Sequence, residues 1–199
     1  MSRLHYYAAL TLLVASLFAL IGPVVARSHP PIQALPAPYA PDPALPVTPF
    51  SEARSWFQAV KQYCNPVEVE MTLRNNPAPS GRDAVAFKAA CLALAGRIEG
   101  AREAILTLPQ ADRPNAAALV FDMAHPIADA GDDQSAGPIM GLVVEFWPNH
   151  YMALYHAGMA NYGMGRSQIA KKYLEQFLEL YGREAGWRAN AQQVLRRLK

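Results

Sequence analysis

The feature that most constrains this chain is a period. Gly96, Gly131 and Gly165 lie 35 and 34 residues apart, and each is followed five residues later by an alanine, Ala101, Ala136 and Ala170. Glycine is the cheapest residue where a chain must leave the right-handed helix. Apolar residues at helical spacing stand on both sides of each of these glycines. The clearest copy is 148–181. There the pattern predicts a helix over roughly Tyr151–Tyr162, a break at Gly163-Met164-Gly165, and a second helix over roughly Ser167–Tyr181. On that second helix Ile169, Ala170, Tyr173, Leu174, Phe177 and Leu178 form an amphipathic stripe. A helix pair cannot bury such a stripe alone, whereas copies stacked in series can.

The copies share more than a glycine and an alanine. The third reads Leu154-x2-Ala157-Gly158-x2-Asn161, then Ala170-x3-Leu174. The second reads Val120-x2-Met123-Ala124-x2-Ile127, then Ala136-x3-Met140, then Pro148; the first reads Val85-x2-Lys88-Ala89-x2-Leu92, then Ala101-x3-Ile105, with Pro114 one residue late. This series resembles the tetratricopeptide repeat, whose pattern is aromatic-x2-Leu-Gly-x2-Tyr, Ala-x3-Phe and Pro. The departures are Lys88 at an apolar position, Asn161 where Tyr is usual, and Gly182 where Pro is usual. The resemblance spans Arg82 to Gly182, about half of the chain. It implies a TPR-like right-handed α-solenoid of helical hairpins whose first helices line a concave, protein- or peptide-binding surface.

The remaining sequence agrees with an all-α class. No alternating run of Val, Ile, Thr and aromatics is bounded by turns, so strands are not expected. Apolar residues make up 52% and charged residues 17%, which indicates a folded chain rather than a disordered one. A net charge of +2, with no basic stripe interleaved with aromatics, argues against nucleic acid as a partner.

In chain order, 1–27 reads as a targeting segment. Ala8–Ile21 is apolar or small, Gly22-Pro23 ends the run, and Val24-Val25-Ala26 offers a cleavage site. The same stretch is long enough for a short membrane-spanning anchor. A cleaved signal and an uncleaved anchor both place the rest outside the cytoplasm, periplasmic or tethered to the inner membrane of a bacterial envelope. Residues 28–49 carry eight prolines, which exclude helix and sheet. An extended polyproline segment of that length is a spacer of roughly 60–70 Å.

Residues 50–81 form an N-terminal helix pair, either a degenerate repeat or a cap. Trp56, Phe57, Val60 and Tyr63 belong to its first helix. Asn65, Pro66 and Glu68 start the second, whose apolar positions are Val67 and Met71 with Val69 and Leu73. Three repeats follow over 82–184, divided as 82–116, 117–150 and 151–184. A capping helix over 185–199 closes the array with Trp187, Ala191, Val194 and Leu198 inward.

Few residues suggest chemistry. Asp122, His125 and Asp129 fall on one helical face of the second repeat, beside Phe121. The resemblance places Tyr155, His156, Met159 and Tyr162 of the third repeat on the same concave wall. These eight residues are the expected partner-binding set. Two histidines and a carboxylate also suit zinc or iron, which gives the alternative of a metal- or small-ligand-binding domain using Asp122, His125 and His156. The absence of a His-x3-His spacing favours a solvated groove, so no metal site and no cofactor are expected. No nucleophile or oxyanion arrangement accompanies Asp122 and His125, so no catalytic residue is expected.

Pro126 should kink its helix, Asp132-Asp133 should cap the next one, and Phe146-Trp147 should belong to the core. Cys64 and Cys91, the only cysteines, either pair in an oxidising compartment or pack as small buried thiols. The function expected is a non-enzymatic protein- or peptide-binding scaffold or adaptor.

Overall fold

The computed structural model describes residues 50–184 and 186–198. The readings of 1–27 as signal or anchor and of 28–49 as spacer concern residues outside that range. The described residues are all-helical, without strands. The helices are α1 (Phe50–Val60), α2 (Val69–Asn75), α3 (Arg82–Leu94), α4 (Ile98–Leu106), α5 (Arg113–Asp129), α6 (Asp133–Phe146), α7 (Tyr151–Gly163), α8 (Ser167–Leu180) and α9 (Gly186–Arg197). None of them is long and apolar enough to cross a membrane.

The period in the sequence is a period in the backbone. Gly96, Gly131 and Gly165 have φ of +74°, +88° and +72°, a region where a side chain is strained. At each, the glycine N–H donates to the carbonyl three residues back, on Ala93, Ala128 and Tyr162, at 2.9, 2.9 and 3.0 Å. The next N–H, of Arg97, Asp132 and Arg166, donates five residues back to Leu92, Ile127 and Asn161, at 2.8, 3.2 and 2.9 Å. The same Schellman turn therefore ends α3, α5 and α7 and starts their partners α4, α6 and α8. Five residues on, Ala101, Ala136 and Ala170 are each completely buried, and so are Ile105, Met140 and Leu174 four residues later.

Close helix approach explains two further small residues. A Cβ on Gly158 of α7 would come within 2.7 Å of the Leu174 side chain of α8, and one on Gly137 of α6 would overlap the Ala160 methyl of α7. Packing runs mainly between neighbours in sequence. The two steps between successive pairs differ, however: towards the preceding pair, α5 packs chiefly on α3, whereas α7 packs chiefly on α6.

At the N-terminal end α1 packs on α3 through Ala53, Phe57 and Val60, with the Phe57 and Phe87 rings 5.1 Å apart. Cys64 and Cys91 form a disulfide, with their Cα atoms 4.9 Å apart. The Asn65 carboxamide oxygen accepts from the N–H groups of Val67 and Glu68, both at 3.1 Å, and its amide donates to Glu68 Oε2 at 2.6 Å. This resembles a capping box, except that Glu68 reaches the side chain of Asn65 rather than its backbone.

The face assigned to α2 needs correction. Val67 is 88% and Met71 61% exposed, while Val69 and Thr72 point inward. The regular helix begins only at Val69, so Val67 belongs to the capping turn. Tyr63 is likewise exposed, in the 3-10 turn Lys61–Tyr63 after α1.

Other boundaries and faces shift as well. α5 begins at Arg113, so the division between 116 and 117 falls inside a helix, and Pro114 sits in the first turn of α5, where its missing N–H has no helical partner to lose. α5 also continues through Pro126 and resumes regular bonding, with Ala130 N–H donating to the Pro126 carbonyl at 3.1 Å. On α8 the buried line is Ala170, Leu174 and Phe177, and Ile169, one residue off that line, is 45% exposed.

The closing helix α9 buries Ala191 and Val194, but Trp187 is 43% exposed, its ring meeting Tyr181 only at 6.1 Å. α9 is tied to the last pair by polar contacts. Arg188 donates to the carbonyls of Leu178 and Tyr181, and Asn190 donates to the Tyr155 hydroxyl at 2.8 Å.

Candidate functional site

The cluster of greatest chemical interest lies where α5, α6 and α7 meet. His125 and Asp129 are four residues apart on α5, hence on the same side of it. Asp133 is the first residue of α6, just beyond the Gly131 turn, and His156 is in the middle of α7. The Asp132 carboxylate accepts from the Ser135 N–H at 3.0 Å and so caps α6 as expected. That fixes the helix start from which Asp133 reaches His156. The result joins three helices: His156 Nδ1 to Asp133 Oδ1 at 3.1 Å, His156 Nε2 to Asp129 Oδ1 at 3.7 Å, and His125 Nε2 to Asp129 Oδ1 at 3.3 Å.

His156 is only 3% exposed. Its Nε2 and that of His125 are both shielded from solvent, and neither makes a hydrogen bond of proper geometry. One ligand atom each of His125, Asp129 and His156 falls within a common 4.8 Å. Around them lies an aromatic wall. Phe121 stacks on His125 at 4.5 Å and meets His150 at 4.0 Å, and Trp147 meets His150 edge-on at 4.4 Å. Trp147 is buried, in keeping with the expectation for Phe146-Trp147, whose Phe146 is half-buried.

Burial dominates the electrostatics here. It lowers the pKa of His125 against the opposing pull of Asp129, and partial desolvation of the carboxyl raises that of Asp122, exposed though the residue is, against the pull of His125. His150 is pushed down to about 4, mainly by burial. Neutral His150 has a structural use: its Nδ1 accepts from the Ala153 N–H at 3.1 Å and caps α7. The Tyr155 hydroxyl is held above its ordinary range by burial, against the opposing hydrogen bond from Asn190.

The eight residues expected on a binding wall thus separate. Asp122 and Asp129 are exposed, and His125, Met159 and Tyr162 are partly so. Phe121, Tyr155 and His156 are buried and cannot act as groove anchors. For Tyr155 the reason is α9, whose Asn190 caps its hydroxyl; for His156 it is the close approach of α6 and α7. The alternative ligand set of Asp122, His125 and His156 is corrected too, because the carboxylate that converges with both histidines is that of Asp129.

The sequence pattern assigns Asp133 only a capping role and assigns His150 none. Their proximity to other residues of the wall depends on the packing of α7 on α6. His150 does precede a helix in a cap position, a signal that was present. The chain matches no family model, no curated protein and no solved structure at a significant level.

Proposed function

We propose that this chain is a non-enzymatic binding scaffold of the cell envelope, built from TPR-like helical hairpins. The observation that carries the reading is the threefold repetition of one Schellman turn followed by one buried alanine. Helical hairpins stacked in this way bind through surface rather than through a catalytic pocket. The disulfide between Cys64 and Cys91 supports a location outside the cytoplasm, since such bonds persist in oxidising compartments. In this reading 1–27 directs export, or anchors the chain if it is not cleaved, and 28–49 spaces the helical domain from the membrane.

The partner is a protein or peptide. Its docking surface is the accessible part of the α5–α7 wall, namely Asp122, Asp129, Met159 and Tyr162. Aromatic and methionine side chains supply contact area there, and the exposed Asp122 carboxylate selects for a basic partner.

Site-specific photocrosslinking in cells tests this. A photoreactive residue at Tyr162 should capture a discrete partner, and one at the exposed Met71 of α2 should not. Capture from 71 alone would move the surface to the N-terminal pair, and capture from neither would remove the scaffold reading.

A further inference from the structure

We propose that His125, Asp129 and His156 form a binding site for one divalent first-row transition metal ion, of which zinc is the representative. The inference does not depend on whether a partner protein docks at this wall.

The argument starts from hydrogen-bond polarity. His156 Nδ1 lies 3.1 Å from Asp133 Oδ1, and a carboxylate only accepts. Nδ1 therefore carries the proton and donates. In the neutral ring the lone pair is then on Nε2, which lies 3.7 Å from Asp129 Oδ1. Two acceptors face each other, and His125 Nε2 stands 3.3 Å from the same oxygen. Both Nε2 atoms are shielded from water and without a hydrogen bond, a costly state for buried polar atoms. A proton would lie along one of these lines only. A metal ion lies at the convergence of all three.

The geometry fits such an ion. At a metal–nitrogen distance of about 2.0–2.1 Å, tetrahedral ligand atoms stand roughly 3.3 Å apart. The distances to Asp129 are already close to that value, and the widest separation is within 4.8 Å, which small side-chain rotations close. Asp133 then acts as the outer carboxylate that fixes the ring orientation and the basicity of a ligating histidine. Two imidazoles and one carboxylate favour zinc, cobalt, nickel or ferrous iron over magnesium or calcium, which require oxygen ligands. The three ligands leave a position for water or for a group from another molecule. Because they come from α5 and α7, the ion also ties together two helices that otherwise have little backbone contact.

The test is zinc binding to the full chain, followed by calorimetry and by the visible spectrum of a cobalt-substituted sample. One equivalent should bind, unaffected by excess magnesium, and zinc should raise the Tm. Asp129→Asn and His125→Gln, both at accessible positions, should each weaken binding by more than tenfold. Asp133→Asn, which touches no metal, should weaken it by about 10–100-fold. In each variant helicity should be unchanged and the Tm rise reduced. Absence of stoichiometric binding by the wild type would overturn the proposal. Unchanged binding by the Asp129→Asn, His125→Gln double variant would also overturn it, because the ion would then sit elsewhere.

Discussion

Two buried polar clusters, one where α3 meets the start of α5 and one where the end of α5 meets α7, are built in different ways. At the start of α3, Arg82 Nη1 and Asp112 Oδ2 form a buried ion pair at 2.8 Å, and in the last turn of the same helix the Cys64–Cys91 disulfide adds a covalent link. Donor faces acceptor and opposite charges meet. Near α7, the acceptor nitrogen of neutral His156 faces the Asp129 carboxylate, and the Nε2 atoms of His125 and His156 are buried without a hydrogen bond. A buried pair in which a donor faces an acceptor of opposite charge belongs to the framework. A buried group left incomplete is expensive, and its retention is best accounted for by something that binds there.

Substitutions can break this comparison. The largest effect is expected for Asp112→Ala. Removing the carboxylate strips a buried guanidinium of its charged partner and should cost about 3–5 kcal/mol in urea unfolding. A loss below 1 kcal/mol would mean that the pair is not part of the framework.

Next is the Cys64→Ser, Cys91→Ser double variant, for which loss of the cross-link should lower stability by about 2–4 kcal/mol. The change in Tm, compared with that of the wild type under reducing conditions, measures it. A reduced wild type as stable as the oxidised protein would deny the bond its role.

The third effect is on pH dependence. His150 has a folded pKa of about 4, below the 6.5 of a free imidazole. The folded state therefore takes up its proton later than the unfolded state does. Stability is full above about pH 6.5 and falls as the pH drops towards 4, by an expected 1–3 kcal/mol, roughly, once the cap on Ala153 is lost. The depressed pKa of His125 works in the same direction. His150→Asn keeps a capping oxygen and should flatten most of the slope between pH 6.5 and 5. An unchanged slope would assign the acid sensitivity to another group.

The smallest effect sharpens the contrast most. Without metal, Asp129→Asn should change stability by no more than about 0.5 kcal/mol, because its carboxylate is exposed and faces the lone pair of neutral His156. A loss as large as that of Asp112→Ala would make the two carboxylates alike and dissolve the distinction.

The framework was far more legible in the sequence than the cluster. The left-handed turn at Gly96, Gly131 and Gly165 admits hardly any other residue, and the site of Ala101, Ala136 and Ala170 admits only a small one, so both leave a direct trace. The face of α2 was not legible because seven residues make two turns, too few for periodicity to choose among Val67, Val69 and Met71. The cluster was legible only in part. His125 and Asp129 share a helix and can be aligned by counting, but the burial of His156 depends on α6, and that of Tyr155 on α9. No local pattern encodes either contact. Arg82 and Asp112, 30 residues apart, left no signal at all.

The disulfide also sets a load path. When the two ends of the helical domain are pulled apart, tension reaches Cys64 and passes through sulphur to Cys91 in α3. Residues 65–90, which include α2 and its capping turn, are taken out of the stretched chain. Roughly 90 Å of contour length is withheld, and α3 receives the force at Cys91 in its last turn instead of being peeled from its first residue. α2 and most of α3 are thereby kept out of the force path, while α1, which precedes Cys64, bears the load.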